Sequence, residues 1–198
     1  MSELFHHNDA IVSFDSEPLI LVDEEDREIG HQDKLSCHAG AGTLHRAFSL
    51  FIFNEAGELL LQQRSANKPL WPLYWSNSCC SHPRRGETMT AAITRRSQQE
   101  LGMVTDFQYV YKFKYQVPYQ DVGAEHELCW VFVGRSSDPV RVNENEIAGW
   151  RFISATQLEQ EMSRAPHQFT PWFKLEWQRL TQDYRQVLQK LNVITSGA

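Results

Sequence analysis

Apolar residues fall in short runs along this chain, each closed by a cluster of polar turn-forming residues, a spacing that predicts strands joined by tight connections. Pro18-Leu19-Ile20-Leu21-Val22 reads as a buried strand, and the acidic run Asp23-Glu24-Glu25-Asp26 behind it as a solvated turn. Residues 47–53 form a longer apolar strand, Asn54-Glu55-Ala56-Gly57 supplies turn chemistry, and Leu59-Leu60-Leu61 starts the return, so this stretch is a hairpin. Residues 128–133 and 150–153 read as further strands.

Between them the period changes. Residues 87–101 contain neither Gly nor Pro, carry Ala91, Ala92 and Ile93, and stop at Gly102, which predicts a helix. Ser154 with Gln157 has the spacing of a capping box opening a short helix. Thr170-Pro171 opens a last helix, with Pro where a missing N–H costs nothing and Leu175, Leu180 and Leu188 as its apolar stripe. The stretch through about residue 15 is polar and unpatterned and is expected to be loosely ordered. Strands interleaved with helices, with no repeat and no linker, predict one α/β (α+β) domain over residues 1–198, built on a mixed β-sheet flanked by helices.

Composition narrows the classes. With 19 basic against 25 acidic side chains and a net charge of −6, the chain lacks the basic excess that a nucleic-acid backbone demands. No apolar window reaches the length of a membrane helix and the first residues hold no signal-peptide core, so a cytoplasmic protein is expected, with no membrane partner. In that compartment the four cysteines are expected as free thiols, one of them available for chemistry.

Candidate chemistry sits in a few short segments. Trp75-Ser76-Asn77-Ser78-Cys79-Cys80-Ser81-His82-Pro83 places a thiol two residues from an imidazole, and an extended chain puts Cys80 and His82 on one face. In Glu125-His126-Glu127 the same period of two sends both carboxylates to one side and His126 to the other. Two carboxylates on one buried face need a cation or a shared proton. With His38, His45 and His82 they make an N/O ligand set suited to a transition metal. Ser81, Glu87, Arg95, Glu100 and Gly102 fall at the spacings of the Nudix box, a loop-helix-loop that binds magnesium diphosphates. The hydrolases of that type place carboxylates at positions that here are Arg96, Gln99 and Glu100, so this helix keeps only one. Fewer metal-holding carboxylates suit holding a diphosphate better than cutting it.

Taken together these segments resemble one family, the type I isopentenyl-diphosphate isomerases, over residues 19–172. The resemblance rests on His38 with Leu44-His45-Arg46-Ala47-Phe48-Ser49, on Asn77-Ser78-Cys79-Cys80-Ser81-His82-Pro83, on Glu100-Leu101-Gly102, on Glu125-His126-Glu127-Leu128-Cys129 and on Thr170-Pro171-Trp172. It implies a Nudix-like fold and a soluble enzyme that moves a double bond between isopentenyl and dimethylallyl diphosphate, through a tertiary carbocation, for isoprenoid precursor synthesis. His38, His45, His82, Glu125 and Glu127 are then the ligands of a divalent metal (Mn2+, Zn2+ or Mg2+), while Glu100, with the Cys80 carbonyl, meets Mg2+ on the substrate diphosphate. Lys34, Arg64, Lys68 and Arg96 fall where that family places its diphosphate-binding cations. Cys80 and Glu127 become the acid/base pair, the latter assisted by Tyr115, with Cys79 facing the other way and the Trp172 ring placed to steady the cation.

A carbocation must be kept from water, so a closing element is expected, with the segment carrying Lys34, His38 and His45 as the candidate. The isoprenyl diphosphate is the expected small-molecule partner, and the chain a monomer or weak dimer. Two rival readings stay in view. A Nudix hydrolase of nucleotide diphosphates would release phosphate, and a noncatalytic metal-binding module would use the His and Glu residues for folding alone.

Overall fold

A computed structural model describes residues 10–194. In chain order the elements are β1 (Pro18–Val22), β2 (Glu28–Asp33), α1 (Lys34–His38), β3 (His45–Phe53), β4 (Leu59–Arg64), β5 (Trp75–Ser76), β6 (Cys79–Ser81), α2 (Met89–Leu101), β7 (Phe107–Tyr119), β8 (Gly123–Arg135), β9 (Ile147–Ile153), α3 (Ala155–Arg164), α4 (Pro171–Gln182) and α5 (Arg185–Lys190). Among the described residues no helix is long and apolar enough to cross a membrane.

The strand β3 is the hub of a mixed sheet. It runs parallel to β8 from His45↔Glu127 to Phe53↔Arg135, and antiparallel to β6 with Ser49 opposite Cys80. The β7–β8 hairpin sets Tyr115 opposite Glu127, and β4 carries β9 and β5. Because side chains alternate along a strand, β3 feeds two cores. Ala47, Phe51 and Phe53 meet Trp172, Phe173, Trp177 and Leu180 of α4, with Leu158 and Leu188 from the neighbouring helices. Phe48, Leu50 and Ile52 meet Ala92, Ile93 and Leu101 of α2. This helix–sheet–helix layering buries both faces and explains why β3 reads as a continuous apolar run.

Local chemistry fixes the ends. Thr88 caps α2 through Ala91 N, so the helix starts at Met89 rather than at residue 87, and Glu87 instead binds Arg95. Gly102 closes α2 with a left-handed φ of 68°, and Ser154 with Gln157 forms the capping box expected for α3. The expected single C-terminal stripe is corrected. The chain breaks between α4 and α5, Leu188 belongs to α5, and Leu175 is 41% exposed. The buried face of α4 is instead Trp172, Phe173, Glu176, Trp177 and Leu180.

The acidic run forms the expected turn with Glu24 and Glu25 exposed, and only Asp26 departs from it. The Asp26 side chain is only 4% exposed; it binds Arg46 and Lys112 and accepts from the Trp130 indole at 2.9 Å. The first nine residues of the stretch expected to be loose lie outside the described residues. From residue 10 onward the backbone is engaged: the Ala10 carbonyl accepts from Asn143, and that of Val12 from Arg96 and Arg84.

Candidate active site

Sheet register assembles the site before any side chain is considered. His45 at the start of β3, Glu127 beside it on β8 and Tyr115 beside that on β7 form one row across the sheet. Glu125, two residues earlier on β8, shares their face. His126 points away and bonds the Gly42 carbonyl at 3.1 Å. The short α1, capped by Asp33 onto Ser36 N, carries His38 to the same spot, and the chain leaving β6 brings His82.

One ligand atom from each of His38, His45, His82, Glu125 and Glu127 lies within 4.8 Å of all the others. Two donors at metal–ligand distances of roughly 2.1–2.3 Å span at most about 4.6 Å, so the cluster is close to the size of a coordination sphere. The donor chemistry agrees. His38 Nδ1 donates to the Lys34 carbonyl and His45 Nδ1 to that of Thr43, both at 2.7 Å, which leaves each Nε2 facing inward. His45 Nε2 and Glu125 Oε2 are buried with no hydrogen-bond partner, an arrangement that costs free energy unless a cation occupies the centre.

Charge points the same way. Burial opposes a proton on His38, but the Glu125 carboxylate at 3.0 Å outweighs it and lifts the imidazole to about 9. His82, enclosed and 2.8 Å from Glu127, is pushed down to about 3, chiefly by that enclosure. Burial favours the neutral acid at Glu127, yet the His82 imidazole bonded to it at 2.8 Å and the His45 imidazole 3.6 Å away hold it well below the usual carboxylate range, and His38 lowers Glu125 against its own burial. With two ionised carboxylates facing one charged imidazole, the cluster has room for further positive charge, and a divalent metal fits it.

Next to this cluster opens a cavity of about 190 Å3 lined by Lys34, His38, Arg64, Lys68, Cys80, His82, Arg96, Tyr115, Glu125, Glu127 and Trp172, among others. Cys80 is half-buried on the α4 side of β6, while Cys79 is fully buried in the core under α2. Enclosure pushes the Cys80 thiol up to about 12, so it holds its proton at neutral pH. Cys80 Sγ donates to Asn77 Oδ1 at 2.8 Å and accepts from Trp172 Nε1 at 3.2 Å. Across the cavity Tyr115 Oη donates to Glu127 Oε2 at 2.5 Å. The Trp172 ring stacks near that of Tyr115 and lies under the Arg64 guanidinium at 5.2 Å.

The basic wall is partly matched by acids. Lys68 binds Glu146, and Arg96 binds Glu100, lies 3.4 Å from Glu146 and donates to the Val12 carbonyl. Arg64 donates to the carbonyls of Leu70 and Trp71, and Lys34 to Ser13 Oγ. Glu100 is buried behind Arg96 and does not line the cavity, and His45 sits beneath the wall, fully buried. Sequence reasoning passed over Asn77, Ser49, Glu146 and Glu176. Only Glu176 carries a clear signal, as the one charge inside the apolar series 172, 173, 176, 177 and 180.

A mixed sheet between helices, with a His/Glu cluster and a basic wall at one end, defines a metal-holding domain of the NUDIX class. Residues 43–173 match the NUDIX domain family. The fold is shared with a Deinococcus radiodurans protein of solved structure (TM-score 0.61, 23% identity, covering 75% of this chain and 90% of that one). It is shared too with a MutT protein from Methanosarcina mazei (TM-score 0.60, 17% identity, 72% and 96% covered). Within that class the relatives are more particular. Isopentenyl-diphosphate Delta-isomerase 1 of Photorhabdus laumondii is 43% identical over 170 residues, 85% of this chain and 97% of that protein. The isopentenyl-diphosphate Delta-isomerase of Halorhodospira halophila is 39% identical over 160 residues, 80% and 91%. The chain belongs to the isopentenyl-diphosphate Delta-isomerase family.

Proposed function

We propose that this protein interconverts isopentenyl diphosphate and dimethylallyl diphosphate by adding a proton at one carbon of the isoprenyl chain and removing one at another. The observation that carries the reading is a thiol and a carboxylate, Cys80 and Glu127, lining one cavity beside a basic wall. The thiol holds its proton while the carboxylate stays ionised, so one acid and one base meet the substrate together. Each serves in both senses because the reaction is reversible. A tertiary carbocation between them would lie near the Trp172 ring, whose face attracts positive charge, and Tyr115 holds Glu127 by its hydroxyl.

Lys34, Arg64, Lys68 and Arg96 bind the diphosphate in this reading. Arg96 would then share its guanidinium between Glu100 and the substrate, freeing Glu100 to meet the magnesium that accompanies a diphosphate. His38, His45, His82, Glu125 and Glu127 would hold a divalent ion, whose positive charge would steady the Glu127 carboxylate. The cavity must exclude water while the cation lives, since an alcohol would otherwise form. Residues 10–15, already bonded to Lys34, Arg84 and Arg96, are positioned to close it.

The test is isomerisation in D2O followed by NMR with metal supplied. Deuterium in the dimethylallyl product, lost in Cys80→Ala and Glu127→Gln, is the expected result. Phosphate release without exchange would replace the reading with a hydrolase, and no turnover at all with a binding module.

A further inference from the structure

On α4, Glu176 is fully buried among aromatic and aliphatic side chains, and no ion pair reaches it among the described residues. Its Oε2 has no hydrogen-bond partner, while Oε1 accepts from Cys129 Sγ at 3.5 Å. Cys129 Sγ is also 3.5 Å from Ser49 Oγ, and Ser49 Oγ is 3.5 Å from Cys80 Sγ. Glu176 thus stands at the inner end of a polar chain that ends on the thiol. A lone carboxyl in such a place is expected to serve something.

We propose that protonated Glu176 is a positioning residue for Cys80: it sets the direction of the chain so that the Ser49 O–H points at Cys80 Sγ. The inference rests on the isomerase reading above. Counting hydrogens makes the case. The Cys80 proton is taken by Asn77 Oδ1, so the Ser49 hydrogen can go outward to the Cys80 sulfur or inward toward the Cys129 sulfur, which itself reaches the Glu176 carboxyl. An ionised Glu176 only accepts, and it draws the hydrogens of Ser49 and Cys129 toward itself. A protonated Glu176 makes the opposite demand and leaves Ser49 free to donate to Sγ. That donation matters when Cys80 lends its proton to the substrate, because charge then develops on sulfur.

Burial supports the protonated form, raising the carboxyl from its ordinary 4.5 to about 8 against the pull of Ser49 and Cys129. The groups facing it are Ser49 from β3, Cys80 from β6, Cys129 from β8 and Tyr111 from β7, whose hydroxyl donates to the Glu176 backbone carbonyl at 3.2 Å. Glu127 adds repulsion from farther along β8. On its own helix Arg179 turns to the Phe113 ring, 5.0 Å away.

Turnover of the metal-loaded protein from pH 7 to 9.5 tests the idea. An acid titrating near 8 is about nine-tenths protonated at pH 7 and about 3% protonated at pH 9.5, so wild-type kcat should fall roughly sevenfold across that range if losing the Ser49 donation costs about tenfold. In Glu176→Gln, which cannot ionise, the fall should shrink below twofold. Ser49→Ala should lose about tenfold in kcat at pH 7 with KM within twofold of wild type, and should lose the alkaline limb too. The same limb in Glu176→Gln as in wild type overturns the inference, and so does an inactive Glu176→Gln, since the amide can donate as the protonated acid does. If that variant does not fold, an unchanged kcat in Ser49→Ala overturns it alone. A wild type that binds isopentenyl diphosphate but never turns over sinks the isomerase reading itself, which the variants then do not address.

Discussion

Gly123 opens β8 where its Cα lies against the end of α1. A methyl group there would sit 2.3 Å from the His38 carbonyl oxygen, a backbone atom that cannot swing aside. Reaching 3.0 Å, the shortest tolerable contact, requires an opening of 3.0 − 2.3 = 0.7 Å. Either side of that opening carries a ligand. The end of α1 holds His38, the start of β8 holds Glu125, and the two side chains meet at 3.0 Å.

Metal coordination tolerates displacements of roughly 0.2 Å, so Gly123→Ala should pull at least one donor out of place. Disturbing a ligand's support costs about 10–100-fold in metal affinity, or about 1.4–2.7 kcal/mol. Competition titration of the metal-free protein with zinc and with manganese measures it. Gly134→Ala is the control at the far end of β8, where the new methyl meets Thr105 Cγ2 at 2.6 Å. It should lower the melting temperature and leave metal affinity alone. If Gly123→Ala binds metal as wild type does, or if both variants lose affinity alike, the local argument fails.

Other changes have equally definite outcomes. Ser78 Oγ accepts from Ile52 N at 2.8 Å and donates to the Leu60 carbonyl at 2.7 Å, fully buried between β3 and β4, so Ser78→Ala orphans two backbone groups and should cost about 2–4 kcal/mol in urea unfolding. Arg96→Leu strips Glu100 of its only cation among the described residues in a place 3% exposed, and should cost about 3–5 kcal/mol in the same assay while raising KM for the diphosphate. Glu176 keeps its proton in the folded protein up to about pH 8 and releases it near 4.5 when unfolded, so wild type is penalised progressively as pH rises through that window and not at all below it. The melting temperature of Glu176→Gln should therefore gain on wild type from pH 5 to pH 8, and a constant difference would show that the carboxyl is not held neutral.

Much of this arrangement was legible in the residues because it is local. Short apolar runs closed by turn residues gave β1, β3 and β4, period two gave the face shared by Glu125 and Glu127, and turn or cap chemistry gave the ends of α2 and α3. What stayed hidden depended on partners distant in sequence. Asp26 reads as part of a charged turn and is buried only because Arg46, Lys112 and Trp130 converge on it from β3, β7 and β8. Leu175 looks like stripe and is exposed, because α4 follows the phase set by Trp172, Phe173 and Trp177. Asn77 lies inside the cysteine segment, yet its hold on the thiol appears only when β6 is laid against β3, where its amide also reaches the Leu50 carbonyl at 3.2 Å.

The same alternation accounts for where the proposed acid and base, Cys80 and Glu127, stand in the NUDIX fold. On α2, the helix that would carry the metal-holding carboxylates of a hydrolase, Arg96 neutralises Glu100 and Gln99 carries no charge. The clustered His and Glu side chains and the thiol come instead from the opposite face of the sheet, from His45 on β3, Glu125 and Glu127 on β8, and Cys80 on β6, with α4 behind them. That face is packed by the buried Trp172, Phe173 and Trp177. An apolar face suits a carbocation, whereas hydrolysis needs a metal-activated water. In the proposed reading, placing the His/Glu cluster and the thiol on the α4 side of β3 rather than on α2 sets the chemistry by residue choice on a shared backbone.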